Sequence, residues 1–260
     1  LDKEDIEWNA IDSDGDDALY FAITNHLQSV AEALILKNPA YRKTALLDAC
    51  KYENEDLALK LMNLEGIDLT ATDSYGRDAF YWALKKDLKN VAEAMTENPV
   101  LRKKALLAAC ELKNEDFAVK LLSIDGVDLN ATDSDGETPF YWACWKNLPK
   151  VVQAMVDEPK EIDFTKKSST GLTGFHLGCY NNHIEVVKII VENSQKLGID
   201  LNIQDSDGYS GLMDACRKKN QGVVDYLLAN SDAYNINLDL KNKDNNSAKD
   251  LWPEFFSKSA

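Results

Sequence analysis

The stretch that decides the fold is residues 133–143, Asp133-Ser134-Asp135-Gly136-Glu137-Thr138-Pro139-Phe140-Tyr141-Trp142-Ala143. An Asp/Gly tetrapeptide of this kind predicts a tight turn, because glycine tolerates a positive φ and aspartate hydrogen-bonds the neighbouring backbone. Thr138 is suited to cap the helix that follows, and Pro139 suits its first turn. The stretch therefore predicts a turn that passes directly into a short helix.

The same pattern recurs along the chain. Close copies of the tetrapeptide begin at Asp12, Asp73 and Asp205, and residues 168–171 are a looser copy. Each copy is followed by a short apolar helix start ending in a small residue and then by a second amphipathic segment, such as residues 184–190. Two short helices cannot bury their apolar faces alone, so neighbouring units must stack.

These residues resemble the ankyrin repeat, whose pattern is D-x-x-G-x-T-P-L-H-x-A, then an L-L ending and G-A-D-x-N. Residues 137–143 are the closest copy, and His176 occupies the histidine position. The resemblance runs from about residue 12 to residue 252. It implies an all-α solenoid of stacked antiparallel helix pairs with short β-hairpin fingers, in one domain that spans residues 1–260. The expected repeats are residues 12–38, 39–72, 73–98, 99–132, 133–167, 168–204 and 205–241, with a terminal half-repeat at 242–260; residues 5–11 resemble the tail of a preceding repeat.

Two of these repeats are expected to lack the finger. The small residue of the first helix falls at Ala22, Ala49, Ala83, Ala109, Ala143, Gly178 and Ala215. The intervals of 27 and 26 residues that precede Ala49 and Ala109 are short beside an ankyrin spacing of about 33. Asn38-Pro39 and Asn98-Pro99 lead instead directly into the next helix, because proline suits a first turn. The row of fingers should therefore be gapped in the N-terminal half and regular from residue 133.

All five cysteines occupy one position of the repeat. Each follows the small residue directly, at Cys50, Cys110, Cys144, Cys179 and Cys216. Equivalent atoms in stacked repeats lie about 8–10 Å apart, too far for a disulfide. We therefore expect buried free thiols and a reducing, intracellular setting.

Composition excludes other classes of protein. The net charge of −15 at pH 7 argues against nucleic-acid binding, which requires a basic surface. No apolar run approaches the roughly 20 residues of a membrane span, so no membrane insertion is expected. The expected location is the cytoplasm, with the nucleus, or a host cytosol for a bacterial effector, as alternatives. The expected oligomeric state is a monomer.

Residues that could support catalysis or metal binding are explained by the repeat. His176, Cys179 and His183 have a spacing that could imitate zinc ligands. Each is accounted for separately, however, since His176 braces the finger turn, Cys179 belongs to the core and His183 lies near the end of the first helix. His26 is the only other histidine, and there is no phosphate-binding loop. We therefore predict no catalytic residue, no cofactor and no metal, and a protein that is not an enzyme.

The resemblance implies that a partner contacts the finger tips and the exposed face of the first helices. That face is locally basic and aromatic, which favours an acidic, partly hydrophobic segment of a protein or peptide partner. Trp82 and Trp142 either belong to this surface or pack against neighbouring helices. The candidate groove residues are Trp82, Lys85, Lys86, Trp142, Trp145, Lys146, Tyr180, Arg217 and Lys218. The candidate finger-tip residues are Tyr75, Arg77, Asp135, Glu137, Leu172 and Tyr209.

The expected function is that of a non-enzymatic scaffold that binds a protein or peptide through this groove and these finger tips. Two alternatives remain open from the sequence. The chain could be the targeting or substrate-recognition domain of a larger enzyme, ligase complex or secreted effector whose catalytic part lies elsewhere. It could also be a structural repeat protein that self-assembles through the ends of its stack.

Overall fold

The computed structural model describes residues 11–13, 16–158 and 161–257. The repeat remnant expected at residues 5–11 lies outside the described residues except for Ile11, and so do Asp14 and Gly15 of the first finger. The chain divides into two compact units, Leu1–Ala108 and Ala109–Ala260.

The first unit is built from short helices in pairs. In chain order they are α1 (Ala18–Thr24), α2 (Gln28–Lys37), α3 (Ala45–Lys51), α4 (Glu55–Leu61), α5 (Ala79–Lys85) and α6 (Lys89–Glu97), with 3-10 helices at Pro39–Lys43 and Leu101–Lys104. The next helix, α7 (Ala105–Glu111), contains the division between the units. Within the first unit α3 packs against α5, and α2 packs against α4.

The second unit continues the same alternation. Its helices are α8 (Glu115–Leu122), α9 (Pro139–Trp145), α10 (Pro149–Asp157), α11 (Gly174–Tyr180), α12 (Ile184–Leu197), α13 (Gly211–Arg217), α14 (Gln221–Ala229), α15 (Ala248–Leu251) and α16 (Pro253–Phe256). The first helices α9, α11, α13 and α15 pack in that order, and so do the second helices α8, α10, α12 and α14. The predicted all-α stack of helix pairs is therefore confirmed, and the expected half-repeat packs through α15 against α13.

Each finger is a turn organised by its first residue. In the second finger, Asp73 Oδ1 accepts the backbone N–H groups of Tyr75 and Arg77 at 2.9 and 3.1 Å, and Gly76 has a φ of 75°. Asp133 and Asp205 make the same pair of bonds. Isolated antiparallel bridges close the fingers that begin at Asp12, Asp73 and Asp205, at Ile11–Asp17, Thr72–Asp78 and Gln204–Ser210. In the described residues the fingers form no extended strands, so the expected β-hairpins are reduced to single bridges.

The two fingerless repeats replace the finger with a compact polar turn. Asn38 Oδ1 accepts the N–H of Ala40 at 3.1 Å, and Asn98 Oδ1 accepts the N–H of Val100 at 2.9 Å. Arg42 donates to the carbonyls of Ile35 and Leu36 at the end of α2. Such bonds satisfy carbonyls that have no partner within the helix. The absence of fingers from repeats two and four is therefore confirmed.

The five cysteines are free and buried, as predicted from their shared position. Burial raises the pKa of each thiol, to about 12 for Cys216 and well above its ordinary value for Cys144 and Cys179. The thiolate is the reactive form of cysteine, so these side chains act as packing groups.

The turn between the two helices of a repeat carries a left-handed residue that is not glycine. The seven residues are His26, Glu53, Asp87, Lys113, Asn147, Asn182 and Lys219, with φ between 55° and 64°. The left-handed conformation is unfavourable because it brings Cβ close to the backbone carbonyl oxygen. Asparagine tolerates this conformation better than a residue with a long side chain does. Lysine at this position is therefore strained.

We expect Lys113→Gly to raise the free energy of unfolding by about 0.5–1 kcal/mol, since relief of the left-handed strain exceeds the entropy that glycine adds to the unfolded chain. Urea unfolding followed by circular dichroism measures the change. Asn147→Gly is the matched control and should give a smaller gain. Equal gains for the two variants would contradict this account of the strain.

Candidate partner-binding site

The fingers of the second unit form a continuous row. The N–H of Ser169 donates to Asp135 O, that of Ser206 to Thr170 O, and that of Lys243 to Asp207 O, at 3.3, 3.1 and 3.0 Å. One backbone hydrogen bond thus joins each finger to the next. The prediction of a regular row from residue 133 is confirmed, and the row aligns the first helices α9, α11 and α13 beside it.

Two tryptophans of α9 form a stacked pair. The rings of Trp142 and Trp145 are 5.2 Å apart between centroids and nearly parallel, at 7°. A hydrogen bond to the finger turn fixes the Trp142 ring, because its Nε1 donates to Asp133 Oδ2 at 2.9 Å. Trp145 is 41% exposed, and Lys146 Nζ lies 4.9 and 5.9 Å from the ring centroids of Trp142 and Trp145. A finger turn therefore holds an exposed aromatic platform with a cation beside it.

A second aromatic and cationic cluster lies on α11 and α13. Lys218 Nζ is 4.5 Å from the ring centroid of Tyr180. The guanidinium carbon of Arg217 is 5.0 Å from the same centroid and 4.3 Å from that of Tyr209. Cation–π contacts of this kind contribute about 0.5–1 kcal/mol each at exposed sites, and they keep the cations at the surface.

A groove of about 270 Å³ lies between the two clusters, bordered by Trp145, Tyr180 and Arg217. We call the surface formed by these residues with Trp142, Lys146, Leu172, Tyr209 and Lys218 the aromatic groove. Its floor includes residues that the sequence analysis did not assign to a site, namely Tyr141, His176, Leu177 and Asn181.

The floor of the aromatic groove is fixed by hydrogen bonds. His176 Nδ1 lies 2.8 Å from Thr173 Oγ1, and its Nε2 lies 3.1 Å from the backbone oxygen of Tyr209 in the next finger. The prediction that His176 braces the finger turn is thereby confirmed. Tyr141 stands at the equivalent position one repeat earlier and contacts Trp145 edge-on at 5.8 Å. That shared position is the signal that would have identified Tyr141.

The finger edge of the groove is acidic. Asp135 is exposed and Glu137 is half-buried. Burial raises the pKa of Glu137 to about 7, with a contribution from the charges of Asp133 and Asp135 and an opposing one from its hydrogen bond with Tyr141. The groove therefore pairs a basic, aromatic helix face with an acidic finger.

A buried carboxylate supports the basic side. Asp214 Oδ1 is 2.7 Å from the Arg217 guanidinium, and the Asp214 side chain is fully buried. Burial raises its pKa to about 7 in spite of the opposing attraction of Arg217. The charge at this end of the groove therefore depends on whether Asp214 is protonated.

The candidate residues of the first unit have a different arrangement. Trp82 is only 8% exposed, and its Nε1 donates to Asp73 Oδ2 at 3.2 Å, so its ring has the packing role that was one of the two alternatives. Arg77 pairs with Asp73 at 2.8 Å and lies over the ring of Tyr75, which is 69% exposed.

The two lysines proposed for the groove in this unit are also in contact with neighbours. Lys85 Nζ is 4.8 Å from the Trp82 ring centroid, and Lys86 forms an ion pair with Glu53 at 2.7 Å. Since Trp82 is buried, the cations in the described part of the first unit have no exposed tryptophan platform beside them.

The side chains that imitate a zinc site have separate roles. His183 Nδ1 lies 2.9 Å from the backbone oxygen of Cys144, whereas His176 contacts the finger and Cys179 is buried in the core. Within residues 11–13, 16–158 and 161–257, no group of His, Cys, Asp and Glu side chains is arranged to hold a metal ion.

Comparison with known proteins gives one family. A model described as ankyrin repeats, in three copies, matches residues 80–168 and 149–242, which together make up more than half of the chain. A search of curated proteins finds no significant match. Among the helices of the described residues, none combines the length and apolar character that crossing a membrane requires.

The raised pKa of Asp214 predicts how stability depends on pH. The folded protein retains the carboxyl proton up to about pH 7, whereas the unfolded chain releases it near pH 4, so the contribution of Asp214 to stability is lost as the pH rises through 7. We therefore expect the stability of Asp214→Asn relative to the wild type to increase between about pH 4 and pH 7 and to stay constant above pH 7.

Thermal unfolding at a series of pH values tests this expectation. Asp207→Asn, which removes an exposed finger carboxylate, is the control and should follow the wild type. A constant difference between Asp214→Asn and the wild type at every pH would show that Asp214 is charged throughout.

Proposed function

Because the chain belongs to the ankyrin-repeat family, we propose that it is a non-enzymatic scaffold that binds another protein through the aromatic groove. Ankyrin repeats generally mediate protein–protein interaction, and proteins built from them are typically not enzymes. The observation that carries the proposal is the exposed Trp145, stacked on a Trp142 that a finger aspartate fixes.

The energetics of protein–protein binding support this surface as the contact site. Binding hot spots are enriched in tryptophan, tyrosine and arginine, and the groove contributes Trp145, Tyr180 and Arg217 to one cavity. The Trp145 ring is already ordered by its stack with Trp142. A rigid aromatic side chain loses little entropy when a partner covers it, so more of the contact energy is available for affinity.

The charges favour one chemical class of partner. Lys146, Arg217 and Lys218 lie around the groove in a chain whose net charge is −15. We propose that the partner contributes a segment with an apolar anchor for the cavity and acidic side chains next to it. Basic groups on the flank of the segment would face Asp135 and Glu137, so the finger sets the orientation of the bound segment.

We expect the double variant Trp145→Ala, Lys146→Glu to lose the binding of such segments. The measurement is selection from a displayed library of random peptides, followed by sequencing of the peptides that each protein retains. The wild type should enrich peptides that combine an aromatic or leucine anchor with neighbouring Asp or Glu. Affinity for a selected peptide should fall by about tenfold or more in the variant, because an anchor and a cation are both removed.

Lys188→Glu is the matched control, since it makes the same charge change on the exposed side of α12. It should retain the peptides that the wild type selects. Equal loss in the control would mean that net charge alone governs binding. Undiminished binding by the double variant would place the contact surface elsewhere on the protein.

A further inference from the structure

The missing finger of repeat two leaves a cavity in the first unit. In the second unit the backbone of the next finger covers His176, with Tyr209 O at 3.1 Å. Tyr20 is the equivalent residue of repeat one, but repeat two begins with the 3-10 helix Pro39–Lys43 and supplies no finger. A cavity of about 220 Å³ lies beside Tyr20.

Three tyrosines line this cavity, which we call the tyrosine pocket. Tyr20 and Tyr52 pack edge to face, with ring centroids 5.1 Å apart at 88°. Tyr41, from the 3-10 helix, is 6% exposed and is hydrogen-bonded to Asp17. The aromatic walls are thus fixed before any ligand binds.

Three carboxylates line the same pocket, from Asp16, Asp17 and Asp48. Asp17 caps α1, accepting the N–H of Tyr20 at 2.8 Å. Asp48 is half-buried and hydrogen-bonded to Thr44, and burial raises its pKa above the ordinary value. Lys51 is a cation near the pocket, with its Nζ 5.1 Å from the Tyr52 ring centroid, and its charge acts on Asp48. The described residues that line the pocket thus include three carboxylates and no cationic side chain.

We propose that the tyrosine pocket binds the guanidinium group of an arginine side chain from a partner protein. Guanidinium stacks on aromatic faces, pairs with carboxylates through two parallel hydrogen bonds and is more weakly hydrated than an ammonium group. A part-buried pocket of tyrosines and carboxylates satisfies each of these preferences. In the described residues the carboxylates form no group that could hold a metal ion.

The sister repeat of the same chain lacks the features of this pocket. In repeat four, which also has no finger, the residues equivalent to Asp48 and Tyr52 are Ala108 and Leu112. In repeat three the residue equivalent to Asp16 is Arg77. A fingerless repeat can therefore form without acidic and tyrosine side chains at these positions, so their presence in repeat two needs a separate explanation. This inference is independent of the aromatic groove, because it concerns residues of the first unit alone.

The test uses the full chain and the peptide Ac-Gly-Gly-Arg-Gly-Gly-NH2, with the lysine peptide and CaCl2 as competitors. Titration is followed by the backbone amide resonances in nuclear magnetic resonance spectra. We expect saturable shifts at Tyr20, Asp48 and Tyr52 with the arginine peptide. The lysine peptide should bind at least several-fold more weakly, since ammonium cannot stack or form the paired bonds.

The decisive variant is Asp48→Ala, Tyr52→Leu, which installs the side chains that repeat four carries at these positions. The affinity of this variant for the arginine peptide should fall by about tenfold or more, because one carboxylate and one ring are lost. Resonances of residues away from the pocket should keep their positions. Asp207→Ala, in a finger of the second unit, is the control and should leave the affinity unchanged. Absence of saturable shifts, equal binding of the lysine peptide, stronger binding of calcium, or undiminished binding by the double variant would each overturn the proposal.

Discussion

The close approach of successive first helices is the constraint on which the second unit depends. Gly174 begins α11, and a Cβ placed on it would lie 2.7 Å from Cys144 Sγ and 2.8 Å from the Phe140 ring. Gly211 begins α13 in the same way, with the Phe175 ring 2.5 Å from an added Cβ. Only a residue without a Cβ allows this distance, and the core at this contact is already fully packed. The stacking step is therefore set at the helix starts, and it aligns the opposite ends of the same helices along the aromatic groove.

Where fingers are present, hydrogen bonds between them form a continuous edge along the stacked helices. Where a finger is missing, a polar turn replaces it and side chains line the space. Where a finger follows, its backbone bonds to the preceding finger and covers the histidine position, as at His176. Where no finger follows, an asparagine turn and an arginine that bonds helix carbonyls complete the local structure, as at Asn38 and Arg42. Hydrogen bonds to the backbone stabilise both kinds of turn, but the fingerless turn leaves side chains to line the space. The tyrosine pocket is the result in the first unit.

The sequence predicted the features that depend on register. The small residue, the cysteine after it and the finger aspartate recur at fixed positions, so the helix pairs, the free thiols and the two missing fingers could be predicted without coordinates. The exposed position of Trp145 followed from the same register.

The contacts of individual polar and aromatic side chains could not be predicted from the repeat register, because several neighbouring groups within the protein compete for each of them. The position in the repeat left the roles of Trp82 and Trp142 open. In the structure both indoles donate a hydrogen bond to a finger aspartate, but of the two only Trp142 stacks against an exposed second ring. The Arg217–Asp214 ion pair and the left-handed Lys113 also lie outside any apolar pattern. The repeat pattern records which residues are buried, and it contains little information on how polar side chains pair.

The ionisation of two carboxyl groups connects the core to the proposed function. Asp214 pairs with Arg217, and Glu137 is hydrogen-bonded to Tyr141, so each carboxyl group contacts a residue that lines the aromatic groove. Burial is the largest cause of the raised pKa of each. Above about pH 7 both are charged, and they partly offset Lys146, Arg217 and Lys218. As the pH falls through 7 both become neutral, the net charge of the groove becomes more positive, and the attraction for an acidic segment increases. Because the burial that raises these pKa values comes from the repeat stack, the stack sets both the shape of the groove and the pH range in which its charge changes.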